Sequence, residues 1–235
     1  MDEQGRVAMR FKDVFSIIGP SMIGPSSSHT AGAVRLARVA RQLLGEQPDK
    51  AELTLYGSFA DTYMGHGTDL ALIGGLLDFD TDDPRIPRAA EVAEALGVEI
   101  AFRTSKEKAD HPNTVGFLLT AQQGSVSMRG ASIGGGNIEI HSVNQFDVKF
   151  TANYPTLVIS HQDRPGMIAG ITTVLGRSGI NIGFMDLDRK GRDGDAMTVI
   201  EIDAPVSEDL LEELKGLPMI QEIQVVDIAE RGDKP

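Results

Sequence analysis

Five histidines serve this chain of 235 residues, and two of them sit where the backbone turns into a helix. The first lies in Gly24-Pro25-Ser26-Ser27-Ser28-His29-Thr30. A helix start leaves backbone N–H groups without intrahelical partners, so hydroxyls gathered there can hold an anion such as a carboxylate or a phosphate. Ser and Thr are also good caps. One cap uses one hydroxyl, however, and residues 26–30 offer four with an imidazole. A Ser–His hydrolase is a further reading, weakened because sequence neighbours are rarely aligned as nucleophile and base. The second is Gly65-His66-Gly67-Thr68-Asp69. Glycines flanking a histidine let the backbone approach a ligand closely, and Thr68 and Asp69 are placed to cap the helix that follows. The plainer alternative is a turn carrying a surface histidine and an acidic cap.

Three further segments offer polar chemistry. In His111-Pro112-Asn113-Thr114 the proline forces an extended backbone before it, and His111 and Asn113 combine a titratable ring with an amide able to grip a carboxylate or an ammonium. Gly130-Ala131-Ser132-Ile133-Gly134-Gly135-Gly136-Asn137 is glycine-rich like a phosphate loop. A dinucleotide fingerprint must follow a strand and open a helix, whereas Ile138-Glu139-Ile140 alternates like a strand. A tight β-turn passing close to a ligand or partner is therefore expected. Asp163-Arg164-Pro165-Gly166 leads into a helical pattern, so the N–H groups of Gly166 and Met167 suit an amino acid's carboxylate, with Asp163 or Asn181 taking its ammonium. A metal-dependent hydrolase using His29, His66 and His111 is disfavoured by their wide spacing and the lack of an HxxxH-type pair.

The elements that must position these residues fall into two blocks, dividing near residues 150–155. In the first, helical spacing covers residues 30–44, with apolar Val34, Leu36, Ala37, Ala40, Leu43 and Leu44, and again 68–77 and 88–96. Strands are expected at 53–56 and 98–102, and residues 115–148 read as short β pieces joined by Gly-rich turns. In the second block, a β-rich run at 156–161 is followed by a turn with Pro165 at a first helical position. A helix is expected over 167–175 with Gly179 just past its end, then strands at 180–188 and 197–202 around a hairpin turn. A helix capped by Ser207 and a last strand at 219–228 complete it. The order βαββαβ is the ferredoxin-like split unit. Such modules expose a sheet face and an edge strand, so association between copies is expected. A polar tail, 228–235, ends the chain.

Composition limits the partners. The formal charge is −12, from 22 basic and 34 acidic residues, and a field of that sign repels nucleic acid and anionic membranes. The longest early apolar stretch, 15–23, is broken by Gly19 and Pro20, too short for a signal-peptide core or a membrane span. A cytoplasmic location is expected. Cysteine is absent, so the chain alone makes no disulfide, thiolate nucleophile or cysteine-ligated cluster.

Together, Phe15-Ser16-Ile17-Ile18-Gly19-Pro20, the two histidine segments, Tyr56-Gly57-Ser58, His111-Pro112-Asn113 and Ser132-Ile133-Gly134-Gly135-Gly136 resemble the β domain of iron–sulfur-dependent L-serine dehydratases over residues 11–150. Residues 156–228 resemble an ACT domain, a small amino-acid-sensing module. The resemblance implies an α+β chain: a serine dehydratase β domain over 1–150, then a ferredoxin-like ACT domain and tail over 151–235. It implies a lyase that deaminates L-serine to pyruvate and ammonia by iron-assisted elimination. The [4Fe–4S] cluster would sit on cysteines of a separate α subunit, with no metal ligand in this chain. His66 and Thr68 would be catalytic. Ser26, Ser27, Ser28, His29, Thr30, Asp69, His111 and Asn113 would contact substrate. Asp163, Gly166, Met167 and Asn181 would hold the ACT ligand, and copies would associate through that domain. The β domain is also similar to the allosteric substrate-binding domain of some phosphoglycerate dehydrogenases, which keeps a non-catalytic amino-acid sensor as the alternative.

Overall fold

A helix with one apolar face buries that face, and one that is apolar all round is buried all round; two helices, one of each kind, organise the first half of the molecule. The computed structural model describes residues 21–229. The Phe15-Ser16-Ile17-Ile18-Gly19-Pro20 string and the end of the polar tail lie outside them. Helix α1 (Gly32–Leu44) follows a single π-helical turn, Ser27–Ala31, and buries Val34, Leu36, Ala37, Val39, Ala40 and Leu43. Gly45 closes it in the left-handed conformation, its N–H bonded to the Arg41 and Gln42 carbonyls. Helix α3 (Thr68–Leu76) packs directly across α1.

Strand β1 (Lys50–Tyr56) alternates buried and half-buried residues, as a sheet covered on one face requires. A six-residue helix α2 (Gly57–Thr62) follows, unexpected because Ser58, Asp61 and Thr62 are weak helix formers. Helix α4 (Ala89–Ala95) leads to β2 (Glu99–Ser105), parallel to β1. The region expected as short β pieces is instead a continuous meander of β3 (Thr114–Ala121), β4 (Gly124–Gly134) and β5 (Asn137–Val143). Register shifts in β4 mask its alternation in the sequence. The sheet order is β2-β1-β3-β4-β5. Its buried face, with Leu53, Leu55, Val115, Phe117, Met128 and Ile140, meets α1.

The second sheet, ordered β7-β8-β6-β9, comes from β6 (Thr156–Gln162), α5 (Met167–Arg177), β7 (Ile182–Arg189), β8 (Asp195–Ile202), α6 (Glu208–Lys215) and β9 (Ile220–Val226). Ser207 caps α6, accepting from Leu210 N at 3.2 Å. Pro165 does not take the first helical position: Gly166, left-handed at φ 91°, precedes Met167 and leaves the proline in the turn. The sheet is covered on both faces at β6 and β8, while β7 stays an open edge with Phe184, Met185 and Leu187 exposed. Leu157, Ile159, Ile200 and Ile202 face the helices, while Val158, Met197, Val199 and Val226 join the core of the first half. That double burial explains why every residue of β8 after Asp195 is buried.

Side chains fasten the two sheets together. Glu201, 6% exposed, accepts hydrogen bonds from Thr151 N, Thr151 Oγ1 and Ala152 N at 2.8–2.9 Å. Gln42 of α1 donates to Asp227 O and accepts from Asp227 N. Asp186 and Asp188 accept from the backbone of Lys149 and Asp147. Glu201→Ala would strand buried N–H donors, and chemical denaturation is expected to read a loss of about 2 kcal/mol, with Glu201→Gln recovering most of it through its remaining acceptor oxygen.

Candidate active site

The two histidine segments converge. Ser26 is the cap of the π-helical turn: its Oγ accepts from His29 N at 3.3 Å. Thr30, buried, donates its hydroxyl to the Ser26 carbonyl. Ser27 and Ser28 share the turn without capping it. The His29 ring lies between serines, Nδ1 3.4 Å from Ser26 Oγ and Nε2 3.3 Å from Ser58 Oγ. Its centroid is 5.0 Å from the exposed His66 ring and 5.2 Å from Phe59, which it meets edge-on.

The α3 entrance differs from expectation. Gly67 is the N-cap residue, left-handed at φ 69°, and no side chain caps the helix. Thr68 Oγ1 and Asp69 Oδ1 are buried without a hydrogen-bond partner among the described residues. Buried polar atoms left unpaired cost stability, and these two directly follow the His66-Gly67 turn.

The remaining motifs support this centre from outside. Pro112 O accepts from Phe59 N at 3.3 Å and packs against Gly57, left-handed at φ 52°, where a Cβ would lie 2.7 Å from that oxygen. Asn113 and Ser132 pair through Ser132 N and Asn113 O at 3.0 Å. Ser132 is buried against Gly32 with its hydroxyl unpartnered among the described residues. Gly134, Gly135 and Gly136, all at positive φ, form the β4–β5 hairpin turn. His111 Nδ1 accepts from Asn113 N, and the residue lines a cavity of about 490 Å³ with Arg129, Glu139, His141 and Lys149. Ser58 and Ser132 had no role assigned from sequence; the available signal was a glycine ending a strand just before Ser58.

In the second half, Asp163 pairs with Arg189 at 2.9 Å and Asn181 donates to Asp203 at 2.7 Å. β6 and β7 both run antiparallel to β8, so Asp163 after β6 and Asn181 before β7 lie at opposite ends of the sheet. Gly166 and Met167 stand with Asp163. His161, 1% exposed, is satisfied by Gln162 O and Thr198 Oγ1.

Burial, and then the neighbouring His66, hold the His29 pKa below its ordinary 6.5. The folded chain therefore binds fewer protons than the unfolded one between the lowered value and 6.5, and stability from this group falls as pH drops through that window. Thermal unfolding followed from about pH 7 to about pH 5 should lose stability more steeply in the native chain than in His29→Gln.

Among the described residues no three His, Cys, Asp or Glu side chains gather to hold a metal ion. An iron–sulfur cluster needs thiolates, and the sequence has no cysteine, so this chain's own residues do not fit one. Among the same residues no helix is long and apolar enough to cross a membrane.

Fold and site define a mixed α+β protein that joins an imidazole-and-hydroxyl centre to an ACT domain. The serine dehydratase beta chain family model matches residues 11–96, and the ACT domain model matches residues 155–218. The chain is 48% identical to the probable L-serine dehydratase beta chain of Bacillus subtilis over 94% of its own length and all of that protein. It is 34% identical to the L-serine dehydratase beta chain of Peptoniphilus asaccharolyticus, covering 91% of this chain and 97% of that one. A D-3-phosphoglycerate dehydrogenase of Synechocystis is 27% identical over 83% of this chain and 36% of its own. The chain belongs to the L-serine dehydratase beta chain family.

Proposed function

We propose that this chain supplies the proton-transfer half of an L-serine dehydratase whose [4Fe–4S] cluster is held by a separate, cysteine-bearing α subunit. The observation that carries the reading is the His29–His66 pair beside the unpartnered Thr68 and Asp69 oxygens. The cluster would supply Lewis-acid assistance to the departing hydroxide. His66 takes the serine α-proton on a ring nitrogen and becomes imidazolium. The Cα–H electron pair forms the Cα–Cβ double bond as the hydroxyl leaves. The resulting aminoacrylate tautomerises to an imine and hydrolyses to pyruvate and ammonia. Thr68 and Asp69 hydrogen-bond the substrate, and the Ser26–Thr30 turn faces its carboxylate. In the ACT domain, a single amino-acid ligand touching both Asp163 and Asn181 would require two copies of the chain, since one copy holds them at opposite ends of its sheet.

The test is co-expression with a cysteine-rich partner, followed by iron analysis and a serine-dependent pyruvate assay. A brown complex that releases pyruvate is expected. A purified, iron-free chain that dehydrates serine at the full rate alone would refute the reading. A colourless chain that binds serine and recruits no such partner would favour an amino-acid sensor.

A further inference from the structure

We infer that Ser58 is the positioning residue that decides which of the two imidazoles is free to accept a proton. The inference rests on the dehydratase reading and deepens it. Ser26 Oγ accepts from the backbone N–H of His29 at 3.3 Å and stands 3.4 Å from His29 Nδ1. The Ser26 hydroxyl keeps a proton and a second lone pair for Nδ1, so it can pair with that nitrogen in either tautomer. A neutral imidazole has one N–H and one lone pair, and Ser58 Oγ, 3.3 Å from Nε2, takes whichever of the two Nδ1 does not use. Both ring nitrogens of His29 are thereby used, and no lone pair is left for a substrate.

His66 is the counterpart. Its ring stands 5.0 Å away, centroid to centroid, and among the described residues its nitrogens have no hydrogen-bond partner. Locked as a neutral ring, His29 is a wall of the site and not a base, and the substrate proton falls to His66. The partner of one ring nitrogen sets what the other can do.

Ser58 is itself held from outside the centre. Gly57 makes the left-handed turn off β1 against Pro112, and Phe59 N donates to Pro112 O. Thr62 Oγ1 donates to the Ser58 carbonyl at 2.7 Å. The His111-Pro112-Asn113 segment thus acts on the site through the proline carbonyl that holds the turn carrying Ser58.

Long-range ¹⁵N–¹H spectra of the labelled full-length chain at neutral pH read the tautomer directly. Native His29 should show a single neutral form. Ser58→Ala should give a mixture, and Ser58→Thr should restore the single form. In the enzyme assembled with its partner, Ser58→Ala should lower kcat about tenfold, the worth of one hydrogen bond, with KM for serine within about twofold and recovery in Ser58→Thr. A native His29 that is mixed, a spectrum unmoved by Ser58→Ala, or a changed spectrum with unchanged kcat would each overturn the inference. If no cysteine-bearing partner yields turnover, the dehydratase reading fails alone, and the spectra still decide whether Ser58 fixes the ring.

Discussion

Replacing His66 with alanine is expected to lower kcat of the assembled enzyme by about 100- to 10,000-fold, the range that a positioned general base contributes. The side chain is exposed, and its ring stands beside that of His29. Its removal should therefore leave the unfolding midpoint of the isolated chain almost unmoved, because surface substitutions away from special features change stability little. His29→Ala tests the opposite balance. That ring bridges Ser26 and Ser58 and abuts Phe59, so its loss should disturb both the fold and the rate. A His66→Ala enzyme retaining kcat within a factor of about three would remove His66 from the chemistry, since that is far less than general-base catalysis supplies.

Gly75→Ala is expected to cost about 3 kcal/mol, at the upper end for overpacking a core. A Cβ there would lie 2.3 Å from the Val34 carbonyl oxygen and 2.6 Å from Ala37 Cβ, both on α1. Backbone cannot swing aside as a long side chain does, so α1 and α3 would have to separate. The same change at Gly176 in α5 meets nothing within 4 Å; there the helix propensity of alanine should add up to about 1 kcal/mol. Denaturant midpoints of the two variants should move in opposite directions. Because α1 follows the His29 turn and α3 opens at Thr68, parting them should also reduce turnover in Gly75→Ala. Equal midpoints for native and Gly75→Ala chains would show that the helices do not cross so closely.

The elements most legible in the sequence were those whose period is set by one buried face. The apolar spacing of α1 and the βαββαβ order of the second half, including the Ser207 cap, follow directly from side-chain pattern. Less legible were features imposed by contacts distant along the chain. Helix α2 forms because β1 ends at a left-handed glycine braced by Pro112, which local propensity does not reveal. The full burial of β8 reflects a second core pressed on its other face. In the site, residue types pointed to the two helix entrances, and the geometry joins His29 to His66. Only the fold shows that Ser58 completes the bridge and that Thr68 and Asp69 do not cap.

Two family models divide this sequence, yet the physics of the folded chain recognises one body. Val158, Met197, Val199 and Val226 belong to the same core as Leu36, Phe117 and Ile140. Cut at the linker, each piece would expose a greasy wound where the other had lain, and Glu201 would lose the Thr151 and Ala152 donors it grips. The two halves share one core and should therefore melt together, so whatever loosens one half is felt by the other.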